Sequence, residues 1–250
     1  MSVVESESIV LKSYNLAEAD RIVVFLTHEH GIVRGVAKGA KRLKSRFGGG
    51  LEPFSIVRLA YFQKEALELV SIRSVELIKS YFSAAAEPDF LQKFAYLFEL
   101  LLAVTPPQDP NKDLYRMVRA CLEASAESTG NLQSIGLYFE LWLMRLGGYL
   151  PDWSKCDECK HDLVAGGDAF LQANFHLLCQ NCSQVLGQTS VTSSQRALFA
   201  KALRLSPRKF SEIARNSDAE MKVISQIFRR IISHMSGREV AGEQSLALRA

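Results

Sequence analysis

A chain of 250 residues that is 48% hydrophobic and 23% charged has the composition of an ordinary folded protein, which excludes general disorder and fibrous repeats. Thirty Lys and Arg against 27 Asp and Glu leave a formal charge of only +3, so any electrostatic role rests on where the charges sit. The acidic opening "MSVVESES" has no basic region or apolar stretch of a secretory signal. The most apolar segment, Phe90 to Val104, is shorter than a bilayer span and carries Gln92, Lys93 and Glu99. Five cysteines, an odd number, then fit reduced thiols better than disulfides, and the expectation is a cytoplasmic chain with no membrane role.

Length allows one or two domains, and the periodicity separates two regions. From Ser8 to Leu77 the pattern alternates and is rich in β-branched residues: "SIVLKSY", "RIVVFLT", "IVRGVA", "SIVRLAYF" and "LELVSIRSVEL" are five candidate strands. "HEHG" at His28 to Gly31 marks a turn, and Gly48 to Gly50 with Pro53 interrupt the pattern before the fourth strand. Five short strands with no long helical pattern between them suit a small closed barrel, either an OB-fold or an SH3-like one.

After Tyr81 the period becomes helical. Phe90, Leu91, Phe94, Leu97, Phe98, Leu101 and Leu102 share one face, with Pro88 at the start and Pro106 and Pro107 as a stop. Leu114, Met117, Val118, Cys121 and Leu122 mark a second helix, Ile135 to Leu146 a third, and Ser194 to Leu205 a fourth. Val223, Ile224, Ile227, Phe228, Ile231 and Ile232 stripe another, ending at Gly237. The expected organisation is a barrel over residues 1–80 and a helical domain over 81–250 with an insert at 153–187.

That insert, "CDECKHDLVAGGDAFLQANFHLLCQNC", holds two C-x2-C pairs, Cys156 with Cys159 and Cys179 with Cys182, separated by nineteen residues. The separation falls within the roughly fifteen to twenty residues of paired zinc knuckles. A two-residue gap lets both thiolates reach one tetrahedral ion at ~2.3 Å, and the second pair completes the shell. Four thiolates leave no position for water, so one zinc ion bound here is structural. His161 and His176 read as surface or packing residues beside a complete ligand set, and Cys121, on an apolar stripe, as core.

No catalytic pattern stands out. Neither Gly35 nor Gly39 begins a phosphate-binding P-loop, and Gly48 to Gly50 lacks the spacing of a dinucleotide site and reads as a flexible turn. "HEH" is too short for a zinc-protease motif, and Lys155 stands where a zinc deaminase has proline before its C-x-x-C. A serine-hydrolase elbow is also absent. The expectation is a protein that is not an enzyme.

Charge placement is more informative. Arg34, Lys38, Lys41, Arg42, Lys44 and Arg46 put six cations into thirteen positions without an acid, whereas Met1 to Val33 carry five acids and two bases. Uncompensated like charges repel, and phosphate groups relieve that repulsion, so nucleic acid is the expected partner. Phe25, Phe47, Tyr61 and Phe62 are candidate base-stacking side chains, with burial in the barrel as the alternative.

"ADRIVVFLTHEHG", "VAKGAKRLKSRFGGGLEPF", "ELIKSYF", "LGGYLPDWSKCDEC" and, faintly, "SHMSGRE" resemble, in order, the blocks of the bacterial recombination mediator RecO family. The resemblance covers nearly the whole chain. It implies an N-terminal OB-fold followed by a helical domain with a zinc-binding insert, and no catalytic site. It also implies binding of single- and double-stranded DNA, strand annealing and, with RecR, loading of RecA onto DNA coated by the single-strand-binding protein SSB, whose C-terminal tail binds the helical domain. Such a protein is cytoplasmic and associated with the nucleoid. The six cations would then be phosphate contacts, with the glycines letting their loop adapt. Where the family often has paired glycines before the second C-x-x-C, this sequence has "FHLL", Phe175 to Leu178. A different class of reading makes the chain chiefly a zinc-containing adaptor for partner proteins, with auxiliary nucleic-acid contact.

Overall fold

The computed structural model of the chain describes residues 2–16, 18–63, 68–127, 132–163, 166–183 and 189–236. Two compact units divide at Thr129 and Gly130. The first contains strands β1 (Ser2–Asn15), β2 (Arg21–Thr27), β3 (Gly31–Ala37), β4 (Ser55–Gln63) and β5 (Leu69–Ser80), then helices α1 (Pro88–Val104) and α2 (Lys112–Glu127). The second contains α3 (Leu132–Leu146), short strands β6 (Ala169–Leu171), β7 (Leu177–Cys179) and β8 (Ser190–Val191), and helices α4 (Ser193–Arg204), α5 (Pro207–Ile213) and α6 (Asp218–Ser236). The change of period near residue 81 thus marks the passage from strand to helix, while α1 and α2 pack within the first unit. Gly237 and the final segment lie outside the described residues.

The five strands close in the order β1, β2, β3, β5, β4 and back to β1, with β3 and β5 parallel and every other neighbour antiparallel. This is the OB-fold alternative of the two barrels. β1 starts at Ser2, six residues before the apolar pattern suggests. Its first half pairs with β4 and its second half with β2, and an irregularity between Val10 and Lys12 bends it from one partner to the other. Val10, Val23, Phe25, Val33, Leu59, Tyr61, Val70 and Ile72 fill the interior.

Gly48 to Gly50 form a 3-10 turn with Leu51, which corrects the expectation of an adaptable glycine loop. Gly50 is buried, and a Cβ there would lie 2.8 Å from Cγ1 of Val75. Close approach to β5 is what requires glycine at that position.

Phe54, with φ of 66°, leads into β4 and turns its ring toward α1, where Phe90, Phe94 and Phe98 surround it at centroid distances of 5.6, 6.3 and 5.5 Å. Helix α2 is held by polar contacts. Tyr115 Oη donates to Glu7 at 2.8 Å, Arg119 Nη1 donates to the same carboxylate at 2.5 Å, and the His28 ring meets Tyr115 edge-on at 5.2 Å. In the second unit α3 is buried on nearly all sides and packs on α6, while Trp153, Phe199 and Phe228 cluster, with Trp153 stacked against the other two rings at 4.8 and 5.8 Å. Thr192 and Gln195 form a reciprocal capping box on α4. Among the described residues no helix is long and apolar enough to cross a membrane.

Gly31 closes the β2–β3 turn with φ of 66°, and a Cβ there would fall 2.2 Å from the carbonyl oxygen of Asp109. Gly31→Ala therefore combines left-handed strain with a backbone clash and is expected to cost the first unit about 2 kcal/mol or more. The midpoint of its urea unfolding transition measures this, and an unchanged midpoint contradicts the packing described.

Candidate nucleic-acid interface and metal centre

The six cations begin on β3 and continue through the turns that follow it. Arg34 points outward from the strand, and Lys38, Lys41, Arg42, Lys44 and Arg46 are likewise exposed. Turn bonds within the segment run from Arg42 N to Gly39 O at 3.1 Å and from Ser45 N to Arg42 O at 2.9 Å. Two bonds tie it to the β1–β2 connection: Gly39 N donates to Asp20 Oδ1 at 2.8 Å, and Lys41 N to Ala19 O at 3.0 Å. At its far end Phe47 is buried in the barrel, and the Arg46 guanidinium lies 5.0 Å over that ring while donating to the Ile72 carbonyl at 3.4 Å.

These side chains remain in solvent because the backbone is tied down around them. Among the described residues none of the six forms an ion pair, whereas Arg21, Arg58 and Arg119 pair with Glu52, Glu76 and Glu7. Leu43, in the middle of the run, is fully exposed. The structure separates the four candidate aromatics: Phe25, Phe47 and Tyr61 are barrel core, and only Phe62, on the outer wall, is partly exposed. Desolvation pushes the Tyr61 phenol up to about 12.

In the second unit the two C-x2-C pairs converge. The sulfur atoms of Cys156, Cys159, Cys179 and Cys182 lie within 4.8 Å of one another, and Cys159 and Cys179 are 3.8 Å apart. A tetrahedron with arms of ~2.3 Å has edges of about 3.8 Å, so the set fits a metal ion with four thiolates. Neither His161 nor His176 joins this cluster; His176 Nδ1 lies 3.8 Å from Asp157.

The first pair sits in a tight turn closed by Cys156 N donating to His161 O at 2.8 Å and Lys160 N to Cys156 O at 2.9 Å. The second follows the β6–β7 hairpin. Phe175, in the turn of that hairpin, takes φ of 65°, the left-handed conformation that a glycine would supply. Its carbonyl accepts from Trp153 Nε1 at 3.1 Å, so the hairpin forms with phenylalanine there.

Burial raises the Cys156 thiol, but backbone N–H donors from Cys179, Cys159 and Glu158 outweigh it and bring the thiol down to about 6. Cys182 is pushed the other way by hydrogen bonding to Cys179 and Cys159. The site thus favours the thiolate at Cys156 and the thiol at Cys182, and a metal ion bound by all four would require both to be deprotonated. Cys121 stands apart, fully buried on α2 with its Sγ 3.8 Å from Met117 Sδ.

Sequence reasoning missed Arg196. It is 5% exposed, and its guanidinium donates to the carbonyls of Leu163 at 2.9 Å, Gly167 at 2.6 Å and Val191 at 2.5 Å. It thereby clips both sides of the insert to α4, even though burial lowers the pKa of its charged group. No motif marks it; an arginine three positions after the start of a short helix carries no signal of its own. Arg196→Met would leave these carbonyls buried without a donor, at roughly 1–3 kcal/mol for each one that finds no other partner. Release of bound metal to a chromogenic chelator should be at least several-fold faster than from the parent chain, and an unchanged release rate would show that the clip does not hold the insert.

Family profiles described as "Recombination protein O N terminal" and "Recombination protein O C terminal" match residues 1–81 and 94–241. Similar chains include the DNA repair protein RecO of Koribacter versatilis, 34% identical over 199 residues and 78% of each chain. That of Rubrobacter xylanophilus is 35% identical over 73% of this chain and 72% of its own. That of Dehalococcoides mccartyi is 26% identical over 98% of this chain and 88% of its own. The first profile covers the barrel and the second runs from within α1 through the cysteine-bearing unit, and together they show that the chain belongs to the recombination protein O family.

Proposed function

We propose that this chain is a DNA-binding mediator of repair and recombination that works without a catalytic centre. The observation that carries this reading is the run of six exposed cations, without an ion pair among the described residues, held on the wall and following turns of an OB-fold barrel. Arg34, Lys38, Lys41, Arg42, Lys44 and Arg46 contact phosphates, which position a strand without reading its sequence. The same surface then serves single- and double-stranded DNA and holds complementary strands for annealing. The matched relatives are named as DNA repair proteins.

The finer role is that of the family: with RecR, the chain helps load RecA onto single strands covered by SSB, and its helical unit takes the SSB C-terminal tail. This places its work in the bacterial cytoplasm, at the nucleoid. The four cysteines hold one zinc ion, because an all-thiolate tetrahedral shell suits that metal and leaves no open position for chemistry. Zinc there closes the insert and leaves the DNA contacts to the barrel.

Salt dependence tests the cation assignment. Each phosphate neutralised on a single strand contributes about 0.7 to the slope of log affinity against log salt. Replacing Lys41, Arg42 and Lys44 with alanine should weaken single-strand binding, flatten the slope by about 2 and slow annealing of SSB-coated strands. Unchanged circular dichroism is the control, since exposed substitutions usually alter stability by under ~0.5 kcal/mol. A folded triple variant that keeps its affinity and slope would reduce the cluster to a solvated face and favour the adaptor role.

The zinc assignment is tested by metal analysis. One equivalent of zinc is expected in the parent chain and much less in Cys179→Ser, because metal affinity at such sites is coupled to local folding. Full retention by that variant, or a parent chain without zinc, refutes it.

A further inference from the structure

One part of the barrel wall is not absorbed by the cation cluster. Phe62, near the end of β4, faces outward and pairs with Ser71 of β5 on one side and Val3 of β1 on the other. Ser71 in turn pairs with Val36 of β3, and Leu69 with Arg34. Val3, Leu69 and Ser71 are exposed, and Phe62 and Val36 are partly so. The result is a shallow apolar wall with one aromatic ring in it, where Ser71 presents no bulk beside the ring.

Cations frame this wall from two directions. Arg73 sets its guanidinium over the Phe62 ring at 6.0 Å from the centroid. Arg46 reaches the carbonyl of Ile72, the residue just before Arg73, and so carries the basic turn to the same stretch of β5. Arg34 stands on the adjacent strand. Among the described residues neither Arg73 nor Arg34 has an ion-pair partner, and the register places the acid Glu5 one row further along, opposite Ala60. Arg73 over Phe62 is at the outer limit of a cation–π contact, so the pair does not by itself account for a ring left in solvent.

We infer that Phe62, framed by Arg73, is a nucleobase-stacking platform that makes the barrel prefer single-stranded to duplex DNA. This inference rests on the DNA-binding reading above and deepens it. Phosphate contacts from the turn are available to either form of DNA, because both present a charged backbone. A ring that accepts the face of a base is available only to an unpaired strand, since duplex bases already stack on one another. Charge decides the occupant: an apolar wall bordered by three arginines that form no ion pair among the described residues suits a chain that alternates flat rings with phosphates.

The test uses the full chain with a labelled oligothymidylate and a hairpin duplex. Phe62→Leu keeps an apolar side chain but no ring face, and should weaken oligothymidylate binding roughly tenfold. Duplex affinity should stay within about twofold, being carried by phosphate contacts. Phe62→Trp should restore the preference, and its indole emission should be quenched by the oligonucleotide beyond any change in the parent chain, whose tryptophans are Trp142 and Trp153. Arg73→Gln should flatten the single-strand salt slope by about 0.7.

The platform is overturned if Phe62→Leu leaves single-strand affinity intact, if it weakens both forms equally, or if the new indole is unmoved. It is also overturned if Phe62→Leu weakens a protein partner such as RecR while oligothymidylate binding is untouched, which would make the wall a protein contact. Failure of the underlying reading looks different: the Lys41, Arg42 and Lys44 variant would then bind both DNA forms as the parent does.

Discussion

The barrel closes where β3 runs parallel to β5 over only three residues, Arg34 to Val36 against Leu69 to Ser71. Everything proposed for the DNA surface depends on this short contact. Gly35 makes it feasible, because a Cβ there would meet Cγ1 of Ile72 at 2.7 Å inside the barrel. With Gly35 facing inward, alternation turns Arg34 outward beside Leu69. Beyond Ser71 the β3 pairing ends, and the turn after β3 leans on β5 instead, with Arg46 on the Ile72 carbonyl and Gly50 on Val75. Cations distant in sequence from β5 are thereby gathered along it by the geometry of closure.

The second unit solves a different problem. Among the described residues the insert has two short strands, joined by β8 into a small sheet that buries little apolar area, so clustered thiols and one arginine stand where a larger core would otherwise be. The two devices are complementary. The cysteines bring the two knuckles within reach of one ion, and Arg196 joins the insert to α4 through carbonyls on both flanks. The side of the insert next to α4 is anchored further by Trp153, which stacks on Phe199 and Phe228 and donates to the Phe175 carbonyl.

The legible parts of the sequence were those in which one periodicity dominates. The stripes of α1, α3 and α6 stood out because each buries an apolar face, and the C-x2-C pairs because ligand spacing is fixed by the ion. The first half of β1 was hidden: Ser6 and Ser8 face the interior while Glu5 and Glu7 face out, so the stretch from Glu5 to Ser8 reads as uniformly polar although it alternates. Helix α5 was missed because seven residues are too few to show a period, although Ser206 before Pro207 is an N-cap signal. The cation run was plain in one dimension. Phe62 was one of four candidate aromatics that only strand pairing and burial could separate, and Arg73 went unmarked because it joins the run only through that pairing.

The basic turn is fastened at both ends, by Asp20 and Ala19 near its start and by the burial of Phe47 and Gly50 at its finish. Its backbone entropy is therefore already lost when the barrel folds, and little further ordering is left for the moment a strand arrives. Segments that fold upon nucleic acid bury large apolar surfaces as they do so and show a strongly negative heat-capacity change. A fastened turn has no such surface to bury. The turn's share of association should be thermally quiet, with displaced counterions supplying its entropy, so that any heat-capacity change comes from the Phe62 wall and not from the cations.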